Sequence, residues 1–162
     1  MYSVKKKFSF LLVLFTSITV LSGCQTVGKT LNLDTDVTLT FDIAKNVNPD
    51  DNNVPSPLFV RFYELKSKGV FEQAEFIDLY ERDQELLGGD LVAKQELKRL
   101  IPGLVRKHTF VLNPETKYIA LFSEFFRYNN SRYRLVIPVE SNNVFNDKVV
   151  VKISNNIMTL SK

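Results

Sequence analysis

The residue best equipped for chemistry is Cys24, the only cysteine in the 162-residue chain. It closes the tetrad Leu21-Ser22-Gly23-Cys24, which ends an apolar run from Phe8 to Leu21 preceded by Lys5-Lys6-Lys7. Cations, a short hydrophobic segment and small residues before a cut are the parts of a bacterial export signal. Ser22 and Gly23 let the backbone enter a peptidase cleft, and the Cys24 thiol is the nucleophile that accepts an acyl lipid. The tetrad reads as a lipobox, so Cys24 becomes the mature N-terminus, diacylated on sulphur and acylated on nitrogen. A transmembrane helix is the competing reading, but the apolar run is shorter than the ~20 residues that span a bilayer, and it contains Thr16, Ser17 and Thr19. At ~0.8 kcal/mol per buried methylene, two or more acyl chains hold a soluble domain on a membrane stably.

The other groups capable of chemistry are sparse. His108 is the only histidine, and it stands beside Lys107 with no carboxylate near it in sequence. It reads as a solvent-facing strand residue rather than a general base. Asp50-Asp51-Asn52-Asn53 offers oxygen ligands, but it lacks the Asp-x-Asp-x-Asp-Gly spacing and closing Glu of a calcium loop. Glu72, Glu75 and Asp78 read as the exposed face of a helix whose other face carries Phe76 and Leu79. Phe125-Phe126-Arg127-Tyr128 reads as a strand end whose alternate positions reach the core rather than a stacking platform for bases or sugars. Asn129-Asn130-Ser131 marks a turn. With one cysteine and one histidine, a Cys/His metal site or a Ser-His-Asp triad has almost nothing to draw on, and no Gly-rich phosphate loop exists, so neither an enzyme nor a small-molecule substrate is expected.

Composition agrees. The chain carries 21 Lys+Arg against 18 Asp+Glu, but Lys5, Lys6 and Lys7 leave with the signal, so the mature part is formally neutral. The pI near 8.9 belongs to the targeting segment, and nucleic-acid binding finds no support in it. One cysteine permits no internal disulfide even in an oxidising compartment.

The elements that must position these groups follow in order. Residues 24–34 are polar and rich in small side chains, a tether between lipid and domain. From Asp36 to Ala44 the chain alternates, with Val37, Leu39, Phe41 and Ile43 on one face, which is the period of a half-buried strand. Lys45 to Pro57 breaks the pattern with three prolines and clustered Asn and Asp. A loop of this length exceeds what a strand connection needs, and Val47 and Val54 are its apolar side chains available to a partner. Leu58 to Leu65 is apolar on both faces, as in a central covered strand. Gly69 to Gly89 shifts to helical spacing, as one helix or two short ones, stopped by Gly88-Gly89. Leu91 to Ile101 fits strand or helix. The strands predicted after Pro102-Gly103 cover residues 107–112, 117–126, 132–139, 148–154 and 157–160, with Asn-rich turns between them, the pattern of an antiparallel sandwich.

Taken together, these stretches resemble the TssJ (SciN) family, the lipoprotein component of the type VI secretion membrane complex. The resemblance rests on the lipobox, Val37-Thr38-Leu39-Thr40-Phe41, Ser56-Pro57-Leu58-Phe59-Val60-Arg61-Phe62-Tyr63-Glu64-Leu65, and Phe71-x-x-Ala74-x-Phe76-x-x-Leu79-Tyr80. It continues through Leu87-Gly88-Gly89-Asp90-Leu91, Leu100-Ile101-Pro102-Gly103, Tyr118-Ile119-Ala120 to Phe126-Arg127, and Tyr133-Arg134. Phe62 before Tyr63, and Tyr133 where the family often carries tryptophan, are departures.

The resemblance implies an all-β fold, a two-sheet, transthyretin-like antiparallel β-sandwich over residues 35–162 with a small helical insertion around 69–89. It also implies that Ala93 to Leu100 is a strand. It further implies a non-enzymatic lipoprotein on the periplasmic face of the outer membrane that binds the periplasmic C-terminal region of TssM. Gln25 after the lipidated cysteine favours that outer-membrane destination. The only non-protein group implied is the covalent lipid on Cys24, with no metal or other cofactor. The family's partner-binding loop maps to Asn46, Val47, Asn48, Pro49, Asp50, Asp51, Asn52, Asn53, Val54, Pro55 and Ser56. From the loop's composition alone, the carboxylates of Asp50 and Asp51 are expected to meet basic residues of the partner. The alternative from a different class is a lipoprotein that binds carbohydrate or peptidoglycan through Tyr and Phe side chains exposed on one sheet face.

Overall fold

The computed structural model describes residues 35–139 and 149–161. The signal 1–23, Cys24, the tether 24–34, Lys148 and the Asn142-Asn143 turn lie outside the described residues. Eight strands form two four-stranded sheets. The first has β1 (Thr35–Ile43), β4 (Val105–Leu112), β7 (Val149–Ser154) and β8 (Ile157–Ser161) in the order β4-β1-β7-β8. The second has β2 (Val60–Leu65), β3 (Leu91–Glu96), β5 (Tyr118–Ser123) and β6 (Arg134–Pro138) in the order β3-β2-β5-β6. Every pairing is antiparallel except β1 with β7, which run parallel. The all-β sandwich expected from the sequence is therefore present, with one parallel pair that strand periodicity does not reveal.

Alternation builds the space between the sheets. Val37, Leu39, Phe41 and Ile43 of β1 pack with Val60 and Phe62 of β2, Ile119 and Leu121 of β5, and Phe110 of β4. The rings of Phe62 and Phe110 stack across the two sheets. The opposite face of the second sheet is also covered. Tyr63, Leu65, Ala120 and Phe122 meet Phe71, Ala74, Phe76, Leu79 and Leu87 from the helical insertion. That second layer is why Leu58 to Leu65 is apolar on both faces. Between them the two layers remove most large aromatics from solvent: Phe41, Phe62, Phe110 and Phe125 are buried between the sheets, and Tyr63, Phe71 and Phe122 under the insertion. A carbohydrate platform would instead need them on an open sheet face.

The insertion consists of two helices, α1 (Gly69–Gln73) and α2 (Phe76–Leu87), with non-helical backbone at Arg82 inside the second. Gly88 follows with φ of +46°, a left-handed value that favours glycine and ends the helix. The exposed side of the insertion carries the pairs Lys68–Glu72 and Asp78–Arg82, as expected of a solvated helix face.

Ion pairs hold the insertion on the sheet. Asp83 Oδ2 accepts from Tyr63 Oη at 2.6 Å and pairs with Arg61 at 3.0 Å and Lys94 at 2.8 Å. Arg61 also pairs with Glu124 at 2.6 Å and donates to the α2 carbonyls of Leu79 and Tyr80. Burial pushes the Asp83 carboxyl up, but the hydrogen bonds from Lys94, Tyr63 and Arg61 outweigh it and hold the group below its usual range. Burial and the hydrogen bond to Asp83 raise the Tyr63 phenol. Arg134 and Tyr133 donate to α1-end carbonyls, including that of Ala74. Glu64, 1% exposed in central β2, accepts from the backbone N and Nδ2 of Asn113 and from Thr116 Oγ1, so its carboxylate pins the β4–β5 connection.

Three sequence expectations are revised. Strand β3 ends at Glu96 instead of continuing to Leu100. Leu97 N still donates to Val60 O, but the next contact is the Leu58–Leu100 bridge, so one extra residue lies between these two points on the 97–100 side. His108 does not face solvent. It is half-buried on the same face as Phe110, and its ring centroid lies 4.4 Å from that of Phe110. The strand expected over 117–126 ends at Ser123; beyond it Phe125 still enters the core and Phe126 is 59% exposed.

Candidate functional site

Residues 45–57 do not form a shapeless loop. A Pro49–Pro55 bridge closes a small hairpin within them. Asp50 N donates to Val54 O at 3.0 Å, and Asn53 N donates to Asp50 O at 2.9 Å. The Asp50 carboxylate turns back on its own chain and accepts from Asn52 N at 2.9 Å and Val54 N at 2.8 Å through a single oxygen. This is the local side-chain-to-backbone bonding that draws Asp and Asn into turns. Asn53, with φ of +60°, takes a left-handed position that Asn tolerates better than most residues.

The foot of the hairpin is buried. Val47 is fully buried in the core between the sheets, which corrects its assignment as an apolar side chain free for a partner. Apolar area is retained inside because the chain must cross the end of the sandwich before it emerges. Asn48 is 5% exposed and also left-handed, with φ of +48°. Its Nδ2 donates to Pro57 O at 3.2 Å, and its Oδ1 accepts from Phe126 N at 2.7 Å. Asn48 N donates to Asn155 O at 2.8 Å, and Ser56 N donates to the carbonyls of Val47 and Asn48. Asn46 Oδ1 accepts from Ser154 Oγ at 3.1 Å. Asn48 is thus a brace rather than a contact residue.

The tip is presented outward. Asp51, Asn52, Asn53, Val54 and Pro55 are exposed, and Val54 keeps 55% of its surface. Arg127 reaches the tip from the turn after β5. Its Nη1 donates to Asn53 Oδ1 at 3.0 Å, and its Nε lies 3.6 Å from Asp51 Oδ1. Asp51 therefore meets a cation of its own chain, while its side chain stays 80% exposed. Asn156 Nδ2 holds the Arg127 carbonyl at 3.1 Å, which completes a framework around the hairpin. Sequence reading missed Arg127, Asn155 and Asn156 as supports of the loop. Their only signal was their place in Asn-rich turns, and those turns meet the loop only once the sheets are assembled.

Among the described residues, no group of three or more His, Cys, Asp or Glu is placed to hold a metal ion. Among the same residues, no helix is long and apolar enough to cross a membrane. What the hairpin offers chemically is a rigid, exposed surface of amides, one carboxylate and one valine.

A family model described as T6SS-SciN, type VI secretion lipoprotein (VasD, EvfM, TssJ), matches residues 35–156. The structure of the type VI secretion lipoprotein TssJ1 from Pseudomonas aeruginosa is similar, with TM-score 0.73 and 26% identity over 79% of this chain and 95% of that one. Serratia marcescens Lip, described as a membrane-bound component of the type VI secretion system, matches with TM-score 0.72 and 19% identity, over 78% of this chain and 97% of Lip. A chain in a structure described as a type VI membrane complex matches with TM-score 0.72 and 22% identity, over 80% of this chain and 99% of that one. No curated protein matches the chain. The chain belongs to the TssJ (SciN) family of type VI secretion lipoproteins.

Proposed function

We propose that this protein tethers the periplasmic C-terminal region of TssM to the outer membrane, as a structural lipoprotein of the type VI secretion membrane complex. The lipid on Cys24 is one attachment point, and the hairpin from Asn46 to Ser56 is the other. One observation carries the reading. The chain passes from the tether into β1 at Thr35, and the hairpin segment begins just beyond Ile43 at the other end of the same nine-residue strand. A strand of that length spans about 27 Å. Under this proposal β1 is the rigid spacer between the point where the tether enters the domain and the hairpin that meets the partner. In this reading residues 1–23 are removed as the signal, 24–34 form the lipidated tether, and the mature domain faces the periplasm.

Preorganisation supports the choice of loop. The Pro49–Pro55 bridge, the Asn48 brace and the Arg127 clamp are all made before any partner arrives, so less conformational entropy is lost on binding. The test is to replace the tip from Asp50 to Val54 with two glycines while keeping Val47 and Asn48. The expected result is loss of TssM co-purification with cooperative unfolding retained. Normal co-purification by this variant would sink the assignment.

A further inference from the structure

Beside the hairpin, a groove of about 540 Å³ lies between the start of β2 and the segment after β3, lined by Phe59, Val60, Arg61, Glu96, Leu97, Lys98, Arg99 and Glu124. We infer that this groove is a second part of the partner interface and takes an extended partner segment that places a carboxylate between Lys98 and Arg99 and an apolar side chain against Phe59. The inference rests on the reading of the hairpin as the partner-binding element and extends that interface.

The backbone creates the groove. The extra residue between the Leu97–Val60 and Leu58–Leu100 contacts interrupts pairing opposite Phe59. Such a bulge re-aims side chains out of the regular pleat. Here Lys98 and Arg99 are both exposed, while Leu97 and Leu100 on either side are buried. Phe59 is 52% exposed at the point where the pairing fails.

Charge selects the occupant. Arg61 and Glu124, both lining the groove, satisfy each other at 2.6 Å, and Glu96 has Lys94 at 3.8 Å. Among the described residues, Lys98 and Arg99 have no carboxylate within ion-pair distance. Two unpaired cations beside an exposed aromatic favour an acidic segment with an adjacent apolar residue. The groove is also continuous with the hairpin. Phe59 O accepts from Glu124 N at 3.0 Å, and two residues further out along each segment, before β2 and after β5, Asn48 binds Pro57 O and Phe126 N. One partner chain leaving the hairpin tip would pass the exposed Phe126 and Phe59 before reaching the two cations.

The experiment titrates the full-length protein, purified in detergent, with the purified periplasmic region of TssM. The double variant Lys98→Glu/Arg99→Glu is expected to bind at least ~10-fold more weakly, since like charges across an interface oppose docking. Lys98→Gln/Arg99→Gln should fall between it and the parent. Raising ionic strength from about 0.01 to about 1 M shortens the Debye length from ~30 to ~3 Å, and should weaken the parent more than the Gln variant. Both substitutions are on exposed side chains, and an unchanged melting temperature checks the fold. Parental affinity in the double Glu variant, with binding still lost in the hairpin-tip variant, would overturn the groove and leave the hairpin reading intact. Parental affinity in the tip variant would overturn the hairpin reading on which the groove depends.

Discussion

Replacing Asn48 separates the two jobs that one side chain performs at the foot of the hairpin. Its amide joins two segments, donating to Pro57 O at 3.2 Å and accepting from Phe126 N at 2.7 Å, while its backbone sits at φ of +48°. Asn48→Gly keeps the left-handed backbone and removes the amide. The Phe126 N–H then loses its acceptor in a part-buried setting, at about 1–3 kcal/mol. Asn48→Ala adds a left-handed penalty of roughly 1–2 kcal/mol. Glycine's freedom in the unfolded chain offsets about 0.4–1 kcal/mol of that difference. Alanine should therefore be the less stable variant by up to about 1.6 kcal/mol, with both clearly below the parent. Chemical denaturation in urea gives the comparison directly, because the midpoint moves while the slope stays constant when only stability changes. If the hairpin binds TssM as proposed, the same variants should bind it more weakly, since the hairpin loses its anchor to the turn after β5. An alanine variant as stable as the parent, or more stable than the glycine variant, would refute the account of Asn48 as a left-handed brace.

Other predictions follow from the same geometry. Arg127→Ala frees the tip residues Asn53 and Asp51 from the Arg127 guanidinium and should weaken partner binding several-fold, with a change in stability below about 1 kcal/mol because the pair is exposed; calorimetric titration and a melting curve check the two halves. Asp83→Ala leaves Arg61, Lys94 and the Tyr63 hydroxyl facing an empty position and should cost about 3–5 kcal/mol, measured by denaturant unfolding. The depressed folded-state pKa of Asp83 means its contribution is present above the ordinary carboxylate value and lost as pH falls through the lower folded value. Stability of the parent should thus decline below about pH 4 by an increment missing from Asp83→Asn. Glu64→Leu strands the Asn113 and Thr116 donors and should destabilise by about 2–4 kcal/mol, read from the urea midpoint. Cys24→Ala should leave an uncleaved or soluble precursor that fails to support secretion; unchanged outer-membrane fractionation would exclude the anchor.

Much of this protein is legible in one dimension because its determinants are local. The alternation from Val37 to Ile43 places β1, the two-faced apolarity of Leu58 to Leu65 announces a strand covered on both sides, and Gly88 marks the end of α2. The expected lipidation at Cys24 also rests on neighbouring residues alone. Prolines and Asn/Asp clusters identify residues 45–57 as irregular because each residue's own φ preference or side-chain bonding opposes a regular ladder.

Only the tertiary structure decides what depends on residues distant in sequence. Val47 reads as a free apolar side chain until the two sheets close over it, and Asn48 reads as a loop amide until Phe126 arrives to be bound. The parallel pairing of β1 with β7, the half-burial of His108 beside Phe110 and the outward turn of Lys98 and Arg99 at a bulge are likewise products of register between strands. A strand's own sequence specifies which face is apolar, but not which neighbour it meets or where a ladder slips by one residue. The sequence by itself determined the strand alternation of a sandwich and the irregular loop, and it sets the expectation of an acyl-accepting cysteine. The assembled sheets decided which loop residues hold the hairpin and which stay exposed at its tip.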